Sequence, residues 1–351
     1  MLKYIIRKLL YGFLVLILVV VLVSSIIFLS PVDPTRLTFG QRSDTATMKA
    51  KQAELGLDQP LYVQLGKYLN DVSPLSAYED NLPCQQKYNY LKIITLGTKI
   101  LVLKAPYLRE SYQNGRSVSL IIAEAIPKTA LLALVAILIA SFIGIGLGVL
   151  AALKQNSWID SLASTISILG YSMPSYVVAI FMALIFGYWF SAYTGLNIQG
   201  SIIELNDEGD EIMVWKNIIL PAFALGLRPV AIITLLTRSS MLDVLNQDFI
   251  RTAKAKGLQR SVVILKHALR NALNPVITAI SGWFAALLTG AFFIESVFSY
   301  KGLGEVTVNA LINFDIPVVL GSVIFTVFTF VVINIIADIL YAFVDPRVQL
   351  S

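Results

Sequence analysis

The chain has 351 residues, 56% hydrophobic and only 14% charged, against about 25% charged in soluble domains. A mean hydropathy of +0.74 excludes an ordinary soluble enzyme and places the surplus of apolar residues in lipid. The formal net charge of +5 needs no nucleic-acid partner, because basic residues beside membrane spans follow the positive-inside bias.

Six long apolar segments follow in chain order, at residues 9–29, 129–153, 162–190, 218–237, 273–294 and 316–337. Each is long enough to cross a hydrocarbon core of about 30 Å. Lys3, Arg7 and Lys8 precede the first. Its apolar run is longer than a signal-peptide core of about 7–15 residues, so it reads as a retained signal-anchor. The third contains Pro174, which predicts a kink. The second contains Gly144-Ile-Gly-Leu-Gly148. No Lys-Ser or Lys-Thr follows, so these glycines predict close helix packing rather than a phosphate loop.

Orientation comes from the short loops. Lys3, Arg7 and Lys8, then Lys154, then seven basic residues from Arg238 to Arg270, and finally Arg347 all fall on one side. That side is expected to be the cytoplasm, with both termini in it. The segment between spans 3 and 4 carries Glu204, Asp207, Glu208, Asp210 and Glu211, consistent with the outside. The expected organisation is an N-terminal tip and first helix over 1–30 and an external region over 31–118. A five-helix core over 119–345 and a tail over 346–351 complete it.

Within the external region, Pro31 to Pro34 read as a span-ending turn, and residues 44–70 predict helix through Leu55, Leu61, Leu65 and Leu69. Residues 73–92 read as an irregular patch rich in Tyr, Asn, Gln and Pro. Tyr300-Lys-Gly-Leu-Gly304 reads as a turn in a short external segment, 297–315.

The loop over 238–272 is far longer than a connection of about 2–8 residues between helices requires. Leu242, Leu245, Phe249 and Ala253 share one helical face, and Gly257 suits the end of that helix. Ser261 is a candidate cap for a second helix, on which Val262, Leu265, Leu269 and Ala272 recur at helical spacing. Thr252, Ala253 and Ala255 are small and flank the turn, which allows another surface close approach. Pattern alone leaves two readings open: a basic amphipathic element lying on anionic lipid, or a docking element for a protein.

Other candidates stand singly. Arg228 lies within span 4, where an ionisable residue is a functional candidate by default. It meets either a substrate carboxylate or a structural partner, Asp338 or a backbone carbonyl. Pro174 is either a gating hinge or a tolerated kink. Glu295 and Asp338 lie at span ends, either as interfacial charges or as parts of a path. One cysteine, Cys84, excludes an intrachain disulfide, and the one histidine, His267, reads as loop packing rather than a metal ligand.

The loop resembles the cytoplasmic loop of permease subunits of ATP-binding-cassette importers. That family pattern is Glu-Ala-Ala, three residues, Gly, nine residues, then Ile-x-Leu-Pro; here Ala253, Gly257 and Leu269 match, while Arg251, Thr252, His267 and Arg270 depart. The departures, Phe249-Ile-Arg-Thr-Ala-Lys-Ala-Lys-Gly257 and His267-Ala-Leu-Arg-Asn-Ala272, are similar to the dipeptide, oligopeptide and nickel branch. Leu57-Asp-Gln-Pro60, Met173-Pro-Ser175, Leu236-Thr-Arg-Ser-Ser-Met241, Ile294-Glu295, Gly302-Leu-Gly304 and Tyr341 to Arg347 resemble it too. Residues 72–104 exceed what that branch carries.

The resemblance implies an all-α membrane protein with six transmembrane helices, the type I importer permease fold, and a large external loop between helices 1 and 2. It implies a non-enzymatic, multi-pass subunit of the cytoplasmic (inner) membrane. The implied partners are a second permease, two ATPase subunits carrying ATP and Mg, an external substrate-binding protein, peptide cargo and lipid, with no cofactor on this chain and no nucleic acid. It assigns ATPase coupling to Phe249, Arg251, Thr252, Ala253, Ala255, Lys256, Gly257, Leu258 and His267, and a translocation path to Arg228, Pro174 and Glu295. The competing class, a stand-alone secondary transporter or channel, calls for inverted repeats or paired midplane charges, and only Arg228 qualifies.

Overall fold

A computed structural model describes the backbone of residues 2–29, 53, 58–79, 90–96, 99–288 and 291–344. Pro31 to Pro34, most of 44–57, Cys84 and Arg347 lie outside these residues, as does the Asp338 side chain. Among the described residues five helices are long and apolar enough to cross a membrane: α1 (Leu2–Leu29), α3 (Val118–Leu153), α6 (Trp215–Leu245), α8 (Arg260–Leu288) and α11 (Ile316–Val344). A bent pair, α4 (Trp158–Ser172) and α5 (Ser175–Trp189), is a sixth candidate span.

The expected kink at Pro174 is a complete break. α4 ends at Ser172, Met173 and Pro174 are extended, and α5 starts at Ser175 with the axes 107° apart. The residue before proline is pushed out of the helical region, and the proline brings a preset φ to the first turn of the next helix. By contrast, Pro127, Pro229 and Pro275 lie inside helices that continue past them.

The chain forms two compact units. The first comprises residues 2–125 and 306–328. Here α1 lies alongside α2 (Leu61–Val72), with Val20, Tyr68, Ile316 and Leu320 in one apolar cluster. Within the stretch expected to be irregular, residues 75–79 and 90–92 are instead strand, while 80–89 lie outside the described residues. β1 (Leu75–Glu79), β2 (Tyr90–Leu96) and β3 (Lys99–Lys104) pair antiparallel in the order β1-β3-β2. Alternate residues face opposite ways in a strand: Ser76, Ile100, Val102 and Lys104 are buried, while Leu75, Leu91 and Leu103, aligned across the three strands, are exposed. This sheet occupies the stretch that exceeds the family resemblance.

Polar contacts tie the sheet to its unit. Arg109 takes a left-handed φ of 66°. Its Nε donates to Asp71 at 2.9 Å and its guanidinium lies over the Tyr68 ring. The Lys104 ammonium donates to the Asp71 carbonyl. The Ser111 hydroxyl and the Tyr112 amide both donate to Asp315, the residue before α11.

The second unit comprises residues 126–305 and those from 329 onward. α6 is its central helix, packed against α3, α4, α5 and α8. The glycines of span 2 do what their spacing predicts. A Cβ at Gly144 would lie 2.7 Å from the Ile233 side chain, and one at Gly148 2.7 Å from the Thr234 carbonyl, whereas Gly146 between them faces open space. Gly226 answers from α6, where a Cβ would lie 3.0 Å from the Ala136 carbonyl. Small residues thus bring α3 and α6 into near backbone contact.

Candidate functional site

The loop between α6 and α8 is a compact helical element. α6 ends at Leu245, Asn246 and Gln247 turn the chain, and α7 (Asp248–Ala255) follows. Asp248 in its first turn and Lys254 in its last both suit the helix dipole. Gly257 has φ +76°, its amide donates to Lys254 O, and the Leu258 amide donates to Ala253 O. These two bonds are the Schellman closure that glycine favours, so Gly257 terminates α7 as expected.

Which side chains face inward differs from the expectation. Ile250 (0% exposed) and Ala253 join Met241, Val244, Val263, Ala268, Ala272 and Ala152 in a small core, while Phe249 is 39% exposed. The predicted stripe from Leu245 to Phe249 assumed one continuous helix, and the break at Asn246-Gln247 rotates α7. Ala253 is therefore small because α7 packs closely on its own support, not to admit a partner.

The second arm also differs. α8 begins at Arg260 with Gln259, not Ser261, at its cap position, and runs unbroken into the membrane span. Val263–Leu269 is a π-helical turn. Its longer repeat puts Val263 and Ala268, five apart, on the buried face and turns Leu265 outward to 62% exposure. His267 is half-buried on this turn. No group of three metal-ligating side chains occurs among the described residues.

Phe249, Arg251, Thr252, Ala255, Lys256 and Leu258 remain exposed around the α7 turn. Two apolar residues, one on α7 and one just past its end, set among basic ones, give a surface of mixed character. The support beneath it is held by polar contacts. The Ser240 hydroxyl donates to Ala272 O at 2.9 Å, joining α6 to α8. Arg238 of α6 clamps Asp160 of α4 through both Nε and Nη2, the latter at 2.7 Å. Asp160 also accepts from the Asn156 amide. Arg238, counted in the sequence as one basic loop residue among seven, is thus a structural cation.

Beyond the other end of α8, Glu295 is fully buried on the short helix α9 (Phe292–Val297). It accepts from the Thr129 hydroxyl at 2.9 Å and from the amides of Gly304 and Glu305, at the start of α10 (Leu303–Ile312). Burial pushes its carboxyl above the usual carboxylate range, against the pull of those three donors. The Tyr300 hydroxyl donates to Lys128 O, and Ser299 takes a positive φ to make the turn. Within this chain Glu295 is buried and organises this turn.

Arg228 and Pro174 do come together. The Arg228 guanidinium lies 3.4 Å from Met173 O, at the break between α4 and α5. Of the sequence alternatives for its partner, a backbone carbonyl is seen among the described residues, while the Asp338 side chain lies outside them.

The chain matches two family models, a binding-protein-dependent transport system inner membrane component over residues 144–350 and the corresponding N-terminal component over residues 1–86. Neither covers β2 and β3. The chain is 35% identical to a dipeptide transport system permease protein of Alkalihalophilus pseudofirmus over 99% of this chain and 100% of that one. It is 31% identical to a glutathione transport system permease protein of Salmonella typhimurium over 99% of each. In fold it is similar to a chain of the MetNI methionine ABC transporter, with a TM-score of 0.51 at 17% identity, covering 65% of this chain and 97% of that one. The fold and these matches define a membrane permease of the ABC importer class. The chain belongs to the binding-protein-dependent transport system inner membrane component family.

Proposed function

We propose that this chain is one of two permease subunits in an ATP-driven importer of peptides across the cytoplasmic membrane, with both termini in the cytoplasm. Peptide cargo is supported by the relatives, whose names specify dipeptide, peptide and glutathione transport. ATP and Mg belong on two separate ATPase subunits, and an external binding protein delivers the peptide. In this reading the α7 turn is the coupling element. ATPase closure moves it, and the motion reaches α6 and α8 because the turn's inner face is part of their core.

The observation that carries the coupling role is the division of the loop into two faces. Ile250 and Ala253 are spent on the inner core. Phe249 and Leu258, at 39% and 41% exposure, are presented outward beside Arg251 and Lys256. Exposed anchors can be changed without opening the core, whereas Ala253→Glu would test the loop's own packing. The double variant Phe249→Asp, Leu258→Asp is expected to insert and to pair with the second permease. It should lose the ATPase subunits on purification and lose ATP-dependent uptake. Recovery of the ATPases at the wild-type ratio would reject the docking surface, and uptake by the isolated chain without ATP would reject the importer.

A further inference from the structure

The arginine within span 4 has a guanidinium that the described residues leave largely unsatisfied. Arg228 sits near the middle of α6, with about 20 Å of helix on one side and about 25 Å on the other. That depth separates it from both interfaces. Among the described residues it forms no ion pair, its Nη2 makes one hydrogen bond at 3.4 Å to Met173 O, and its Nε is buried with no partner. An arginine carries five N–H donors. Placing one at mid-span costs about 2.5–3.5 kcal/mol on insertion scales.

Met173 caps the end of α4 and Pro174 opens the 107° break, so the guanidinium sits where the span is interrupted. Irregular backbone at membrane depth persists only where protein encloses it or it borders a water-filled cavity.

We propose that Arg228 binds the C-terminal carboxylate of the peptide as it passes the α4–α5 break. This rests on the peptide-importer reading above. The planar fork of arginine matches a carboxylate with two parallel bonds. The Met173 contact positions the fork when no peptide is present. Pro174 acts here through the break it makes, without touching cargo itself.

The test uses the complete transporter in liposomes with its binding protein, comparing a labelled dipeptide with the same dipeptide amidated at its C-terminus. The binding protein is saturated with each, so that differences arise in the membrane step. Wild type is expected to import the free acid about tenfold or more faster, the scale of one charge-assisted hydrogen bond. Arg228→Gln should bring free-acid import down to the amide's rate. Arg228→Lys, which keeps the charge but not the fork, should keep a reduced preference for the acid. Equal import of acid and amide by wild type overturns the assignment, as does an Arg228→Gln variant that slows both by the same factor. If Arg228→Gln fails to assemble, wild type and Arg228→Lys decide the matter through the same ratio. A wild-type complex that imports neither peptide with ATP overturns the peptide-importer reading itself, and the Arg228 assignment falls with it.

Discussion

The two ends of α8 carry family-like motifs of similar length and use them in opposite ways. Before α8, the α7 turn places a few small residues inward and leaves Phe249, Arg251, Lys256 and Leu258 exposed. After it, the turn from Glu295 to Gly304 folds Glu295 and Tyr300 inward, and backbone amides and Thr129 converge on the one buried carboxylate. A motif with its polar groups in water is available to a partner. A motif whose buried polar groups satisfy one another has few of them left to offer a partner. The same contrast separates two glycines. Gly257 has open space around it and needs only its positive φ, whereas Gly302 has no room at all.

The largest effect should therefore come from the buried turn. A Cβ at Gly302 would lie 2.5 Å from both Glu295 Oε2 and Thr129 Oγ1. Both atoms are held in hydrogen bonds, so neither side chain can swing away without abandoning donors. Overpacking of this kind costs about 1–3 kcal/mol, and each orphaned buried donor adds about 1–3 kcal/mol. Gly302→Ala is expected to reduce the yield of folded protein severely, measured by detergent-stable monodisperse material. A variant with wild-type melting behaviour would mean that the turn is looser than its geometry, and the contrast between the two ends would fail.

The intermediate case lies beneath the outward loop. Asp160 is buried and Arg238 is about a quarter exposed, so the pair is only partly shielded from solvent. Breaking a fully buried pair costs about 3–5 kcal/mol; with partial solvation about 2 kcal/mol is expected for Asp160→Asn. The loss should appear as a lower melting temperature together with weaker coupling of ATP hydrolysis to uptake, because the clamp joins α4 to α6 below the α7 turn. Restoration by Arg238→Gln in the same chain would show that the orphaned guanidinium, rather than the lost attraction, does the damage.

Much of this was legible in the sequence. Apolar length alone located the spans, because a bilayer sets a minimum length, and Gly257 announced the end of α7 because few other residues take its φ cheaply. The inward face of the loop was not legible, since the break at Asn246-Gln247 and the π turn at Val263–Leu269 both change the repeat on which such a reading rests. The sheet was hidden for another reason. Burial alternates along Lys99-Ile-Leu-Val-Leu-Lys104, but four successive apolar residues carry no two-residue period, and the inward set, Ile100, Val102 and Lys104, includes a charge buried by its contact with Asp71. Glu295 and Gly302-Leu-Gly304 were both recognisable as motifs. What no one-dimensional reading held was that Thr129, far away in the chain, completes their cluster.

The smallest effect should come from Gly257. Nothing lies within 4 Å of a Cβ built there, so Gly257→Ala meets no atom and pays only for the left-handed backbone, about 1–2 kcal/mol. The amide bonds from Gly257 to Lys254 and from Leu258 to Ala253 oppose any relaxation of that φ. The cost should therefore appear as fraying of the last turn of α7 rather than as global unfolding. Hydrogen exchange of the Leu258 amide should accelerate while the amides of α6 are unaffected, and ATPase affinity should fall by less than in the Phe249→Asp, Leu258→Asp variant. If Gly257→Ala instead unfolds the protein as Gly302→Ala does, the loop is part of the structural core, and its exposed face is not an independent docking element.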